Sequence, residues 1–175
     1  MARPLPDPLD VGQLAAQHVR LAKDFPISGF SRLRESLARL DGSAAVDFRF
    51  HPAGSYPAVE GAVRARAWLV CQRCLHEFQA ALESPVRLAF VPRDAEAGRV
   101  PDDYDALTAP GGRIALEELV EDELLLALPL VPTHASPSEC ALQLAAASAE
   151  LEVARPQATS QVQRPFAELR DLLKR

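Results

Sequence analysis

The chain lacks any apolar run long enough to cross a bilayer. Its longest, Leu124 to Val131, is eight residues and is broken by Pro129, against the ~20 that a spanning helix needs. The first residues, Met1-Ala2-Arg3-Pro4-Leu5-Pro6-Asp7-Pro8, place three prolines and an aspartate where a secretory signal carries an apolar stretch. A cytoplasmic protein without membrane contact is therefore expected. Cysteine is scarce, with three among 175 residues, and an odd number in a reducing compartment argues against a disulfide framework. No G-x-S-x-G elbow, phosphate-cradling glycine loop or H-E-x-x-H pair is present, so hydrolytic catalysis has no motif to rest on. No internal repeat is visible. Positive charge is short as well: the net charge of −5 has the wrong sign for coating RNA by bulk electrostatics.

What is present is a chain, 48% hydrophobic and 25% charged, of a size that buries one core. Its charge is segregated. Residues 28–74 carry seven arginines against four acids, a balance of +3, whereas residues 94–123 carry ten acids against Arg99 and Arg113, a balance of −8. One half suits phosphate and the other a basic protein, unless both are simply solvated surface.

Periodicity predicts the elements. Leu9 to Ala16 reads as a short helix, and Ser31 caps a second one whose Leu33, Leu37 and Leu40 fall on one face. From Ala45 the period becomes two: Val46, Phe48 and Phe50 alternate with polar residues. A second strand from about Val59 to Val70 buries Val59, Val63, Ala65, Ala67 and Leu69. A third carries Phe78, Ala80 and Leu82, is interrupted by Pro85, and resumes at Val86, Leu88 and Phe90. Residues 91–113 read as an acidic loop. A helix from about Ala115 to Leu128 turns Leu116, Leu119, Val120, Leu124 and Leu128 inward and Glu117, Glu118, Glu121 and Asp122 outward, and ends at Pro129. The expected fold is α+β: an antiparallel β-meander sheet packed by one main helix, with short N-terminal helices and a tethered C-terminal helix. Residues 1–140 would form the domain, 141–163 a flexible Ala/Gln/Ser-rich tether, and 164–175 a docking helix.

Cys71-Gln72-Arg73-Cys74 falls between two strands, where a tight turn brings both sulfurs to one centre. His134 and Cys140 follow the acidic helix and its rigid proline exit. Together they complete three thiolates and one imidazole, a tetrahedral set suited to structural zinc. His76 is a competing ligand. Alternatively, Cys71 continues the buried strand face and Cys140 sits in a mobile segment. A dithiol enzyme of thioredoxin type would need a helix starting at the pair, and none is expected there. Arg64, Arg66 and Trp68 alternate on one face of the second strand, with Arg73 at its tip. They are candidate RNA contacts, the indole stacking a base and the guanidinium groups meeting phosphate. The alternative puts Trp68 under the acidic helix with its arginines paired to Glu118 or Glu121. Glu117, Glu118, Glu121 and Asp122 are the candidate contacts for a basic protein partner.

The C-x-x-C followed by Leu75 and Phe78, and the block from Val120-Glu121-Asp122-Glu123-Leu124 through Leu128-Pro129-Leu130-Val131-Pro132-Thr133-His134 to Cys140, resemble the YceD family. Weaker similarity covers Pro26 to Leu33 and Arg164 to Leu169. The resemblance implies a YceD-like domain and a non-enzymatic ribosome-biogenesis factor, supporting synthesis, processing or stability of large-subunit (23S) ribosomal RNA. It also implies a partner among the small basic large-subunit ribosomal proteins. Two other readings stay open: an acidic adaptor that binds such a protein without touching RNA, and a thiol- or metal-dependent enzyme.

Overall fold

The computed structural model describes residues 8–143 and 145. A two-residue strand, β1 (Leu9–Asp10), leads into helix α1 (Val11–Ala16), where the Asp10 carboxylate caps the first turn by accepting from the Gln13 backbone N–H at 2.9 Å. Four strands then run antiparallel in chain order: β2 (Arg20–Pro26), β3 (Ser43–Ala53), β4 (Tyr56–Val70) and β5 (Glu77–Val91). The expected meander is therefore present. A fifth strand, β6 (Asp105–Thr108), adds parallel to β5. The short β7 (Arg113–Ile114) returns to pair with β1, and helix α2 (Leu116–Leu126) follows. A last helical stretch occupies residues 137–143.

The core lies between one sheet face and α2. Val46, Phe48, Phe50, Val59, Val63, Leu82 and Val86 turn inward and meet Leu116, Leu119, Val120 and Leu124, with Val11, Phe30 and Leu33 closing the rim. Each is almost fully buried, at about 1.5–3 kcal/mol per large side chain. Strands β3 and β4 approach very closely at Gly61, where a Cβ would run into the Asp47 carbonyl, so that position admits no side chain.

The structure corrects four expectations. The helix foreseen from Ser31 to Leu40 is a single 3-10 turn, Leu33–Ser36, after which Leu37 is extended. Strand β4 outruns β3, whose pairing stops at Ala44↔Ala65, and the chain at Ala38 and Arg39 moves in beside it. The Ala38 N–H donates to the Trp68 carbonyl at 2.8 Å, and that otherwise unpaired strand edge wins over helix propensity. Pro85 does not interrupt its strand: β5 passes through it opposite Ala62. Because β6 pairs only with Leu88–Val91, one side of β5 at Pro85 carries no strand among the described residues, a setting in which proline is tolerated. The acidic loop contains β6, whose four residues are too few to show a period. Edge strand β2 was not foreseen either, because only Leu21 and Phe25 are buried in it.

The fourth correction concerns Glu121. It does not point outward but is 5% exposed. The foreseen tether begins inside the helical stretch 137–143, and apart from residue 145 its remainder, with the terminal helix, falls outside the described residues. Among the described residues no helix is long and apolar enough to cross a membrane.

Candidate functional site

Strands β4 and β5 form a long hairpin, paired from Ala58↔Ala89 to Val70↔Glu77, and its tip is Cys71 to His76. The Cys71 N–H donates to the His76 carbonyl at 2.9 Å and the Leu75 N–H to the Cys71 carbonyl at 2.8 Å. Leu75 takes φ 62°, the left-handed region that a leucine rarely enters, so surrounding contacts must hold the turn. Helix α2 ends at Leu126, against Leu88 and Leu107. The segment beyond it crosses over, and the Pro132 carbonyl accepts from the Gln72 N–H at 2.8 Å.

That crossing brings His134 and Cys140 to Cys71 and Cys74. All four ligand atoms lie within 4.8 Å of one another. The Cys71 and Cys140 sulfurs are 3.7 Å apart, and the His134 Nδ1 is 3.5 Å from the Cys74 sulfur and 3.4 Å from that of Cys140. No sulfur pair is bonded, since all three cysteines are free thiols. Each is buried, and they form a small cluster of their own with Phe78, whose ring lies 4.9 Å from that of His134. His76 is not part of it: its ring nitrogen faces the Cys74 carbonyl at 2.9 Å. Burial pushes the Cys71 thiol up, but the backbone N–H groups of Cys74, His134 and Arg73, together with the His134 ring, outweigh it and bring the thiol down to about 5. Cys140 moves up, through burial and then through hydrogen bonding and charge from Cys71 and Cys74. This cluster can bind a metal ion. No helix begins at the C-x-x-C, so the thioredoxin arrangement is not present at this tip.

Arg64, Arg66 and Trp68 do share the outer face of β4, away from α2. The reading that placed Trp68 under the acidic helix is therefore not the arrangement found. The indole is half-buried beneath Arg39, whose guanidinium carbon sits 4.5 Å from the ring centroid. Arg39 was not foreseen as a site residue, and nothing in its spacing could have signalled the stacking. Charge on this face is largely compensated across strands. Arg64 pairs with Glu83 at 2.8 Å, Arg87 with Glu60 at 3.4 Å, Arg20 with Asp47 at 2.8 Å and Arg39 with Glu77 at 2.5 Å. Arg66 makes no ion pair among the described residues. Arg73, taken with the RNA candidates, has its Nη1 3.7 Å from the Cys140 sulfur and belongs to the cysteine cluster.

The four acids of α2 divide. Glu117 and Glu118 are exposed. The Glu121 carboxylate accepts from the Arg32 and Leu33 backbone N–H groups at 2.6 and 3.0 Å and from the Arg32 side chain at 3.1 and 3.0 Å. Asp122 accepts from the other arm of the same guanidinium at 2.7 Å. Glu123, which helical spacing alone would leave among the solvated acids, is buried and accepts from the Ser84 hydroxyl at 2.6 Å. Glu121 and Glu123 thus fasten the helix to the rest of the fold, and only Glu117 and Glu118 remain free for a partner among the candidate acids.

A sequence model of the family described as "Large ribosomal RNA subunit accumulation protein YceD" matches residues 59–173. A Haemophilus influenzae protein named "Large ribosomal RNA subunit accumulation protein YceD" is 35% identical over 107 residues, 60% of this chain and 62% of that relative. The chain therefore aligns with less than two thirds of the relative's length. No solved structure matches. The chain belongs to the YceD family.

Proposed function

Taking that membership as premise, we propose that the protein is a non-enzymatic factor that sustains accumulation of large-subunit (23S) ribosomal RNA in the cytoplasm, through its synthesis, processing or stability. The observation that carries the proposal is the family match over residues 59–173, which includes the cysteine cluster and α2. The contact in this reading is direct and small. Arg66, which has no carboxylate partner among the described residues, and the Arg39–Trp68 stack offer phosphate and base contacts on the outer face of β4. The cysteine cluster has a structural role, since four protein ligands on one ion leave no position open for a substrate.

A second reading has an observation of its own. Arg64 is neutralised by Glu83, whereas Glu117 and Glu118 stand exposed in the first turn of α2. Those acids suit a lysine- or arginine-rich large-subunit ribosomal protein, which the chain would hold without touching RNA.

Sucrose-gradient and RNA profiles of a deletion strain test the function. The expected result is a lowered ratio of large- to small-subunit RNA, restored by the intact gene. An unchanged ratio in normal growth and under stress would overturn it. Pull-down before and after nuclease treatment separates the readings: loss of large-subunit components with nuclease supports RNA contact, and retention of one basic protein supports the adaptor.

A further inference from the structure

We propose that the apolar groove between α2 and β6 is a helix-binding site, and that its occupant is the chain's own segment 164–175. Helix α2 carries more leucine than the sheet covers. Val120 and Leu124 are fully buried against the strands, whereas Leu125 is half-buried and Leu126 is 79% exposed. On the sheet side, β6 is the last strand and has only four residues, so its Leu107 and the neighbouring Leu88 of β5 stay half-buried too. These leucines, with Leu119 of α2, line a cavity of about 360 Å³. An apolar recess with an uncovered leucine on its rim marks a surface that another element fits. Its charged lining is acidic: Asp122 and Glu123 border it, and among the described residues no lysine or arginine does.

The chain beyond the described fold carries an element of matching chemistry. Residues 164–175, which lie outside the described residues, place Phe166, Leu169, Leu172 and Leu173 at the spacing of one helix face, with Pro165 at a position suited to a helix start. The same segment holds Arg164, Arg170, Lys174 and Arg175 against Glu168 and Asp171, an excess of positive charge that complements the acidic rim. A helix of about twelve residues is marginal in water by itself, so the segment needs a surface for its apolar face. The family match runs to residue 173, which puts the segment in the same family unit as the sheet and α2. Reach is sufficient. Cys140 lies beside Cys71 at the hairpin tip, and from Cys74 to Leu88 the chain advances fourteen residues, no more than about 48 Å at ~3.4 Å each. Residues 146–163 alone can span about 60 Å. Docking within one chain stands whether or not the protein meets RNA.

Two measurements on the purified full chain test this. In the first, Phe166 is replaced by the photo-cross-linker p-benzoylphenylalanine, and isotopically light and heavy chains are mixed before irradiation. The expected cross-links join residue 166 to peptides carrying Leu88, Leu107 or Leu119–Leu126 of the same chain. In the second, hydrogen exchange is followed by mass spectrometry across residues 167–173. Slowed exchange is expected there, since an undocked segment of this length would exchange freely. Leu126→Glu, at an exposed position, should cut that protection about tenfold or more, whereas Leu126→Met should keep it. Should Leu126→Glu lower the melting temperature of the domain, the pair Phe166→Ala and Leu169→Ala, outside the described core, must give the same loss. Cross-links that join only light to heavy chains assign the groove to a second copy and overturn the proposal. It is also overturned by cross-links elsewhere on the chain, or by protection that the groove and segment variants leave unchanged. Free exchange in the purified chain overturns it as well, including the case where protection arises only when a basic large-subunit ribosomal protein is added. None of these readouts depends on ribosomal RNA levels, so failure here and failure of the proposed function are distinguishable.

Discussion

Replacing Glu121 with alanine should destabilise the protein by about 2–4 kcal/mol, because the variant orphans two backbone N–H groups at about 1–3 kcal/mol each. The Leu33 N–H lies in a fully buried residue, and that of Arg32 is partly buried, so water can satisfy only the second. At about 2–4 °C per kcal/mol for a chain of this size, the melting temperature should fall by about 4–16 °C. Glu121→Gln keeps an acceptor for the backbone groups but loses the charge facing Arg32, and should fall in between. Asp122→Ala is the control: its partner is the same guanidinium, but the pair is half-exposed, worth within about 1 kcal/mol. The pH dependence has a definite sign. Burial pushes the Glu121 carboxyl up, but the Leu33 and Arg32 N–H groups and the Arg32 guanidinium outweigh it and hold the group below the usual carboxylate range. A folded-state pKa below the unfolded value of about 4.3 means the contribution is present above that pH and is lost as pH falls through the folded pKa. Thermal melts between neutral and strongly acid pH would therefore converge for parent and Glu121→Ala at the acid end. Curves separated by less than about 1 °C at neutral pH, or a gap that widens on acidification, would refute the anchoring role.

Arg66→Ala should reduce the slope of log affinity against log salt for ribosomal RNA by about one, and Arg64→Ala by less, since Glu83 already occupies Arg64; equal slopes for parent and Arg66→Ala would remove this face as the contact. Reversing Glu117 and Glu118 together to lysine should abolish capture of a basic large-subunit ribosomal protein while changing stability by no more than about 0.5 kcal/mol, as measured by binding and chemical denaturation; undiminished capture would leave these acids as plain surface. Gly61→Ala should cost at least about 2 kcal/mol in a urea titration, since its Cβ meets the Asp47 backbone and not a yielding side chain; a neutral result would contradict the close strand approach.

Alternation along β3 and β4 was enough to identify the buried face, because a sheet with one wet side imposes a period of two on any chain that forms it. The same local logic identified α2 and its inner leucines, and the meander followed from short connections. The four metal-ligand candidates were also legible, since soft donors at a turn and after a proline exit are a chemical signal independent of the fold. Tertiary structure alone decided the rest. Glu121 looked like one of four outward acids, yet it faces Arg32 and Leu33, because its burial depends on what a distant segment places against that side of the helix. Arg73 was grouped with the strand arginines, although the incoming Cys140 gave it a different neighbour. Trp68 showed its strand face in the sequence, but the arginine covering it comes from a segment that helix periodicity had claimed. Local spacing specifies which face of an element a residue occupies. The partner across that face is set by the path of the whole chain, whose long-range pairings leave no periodic trace in the sequence.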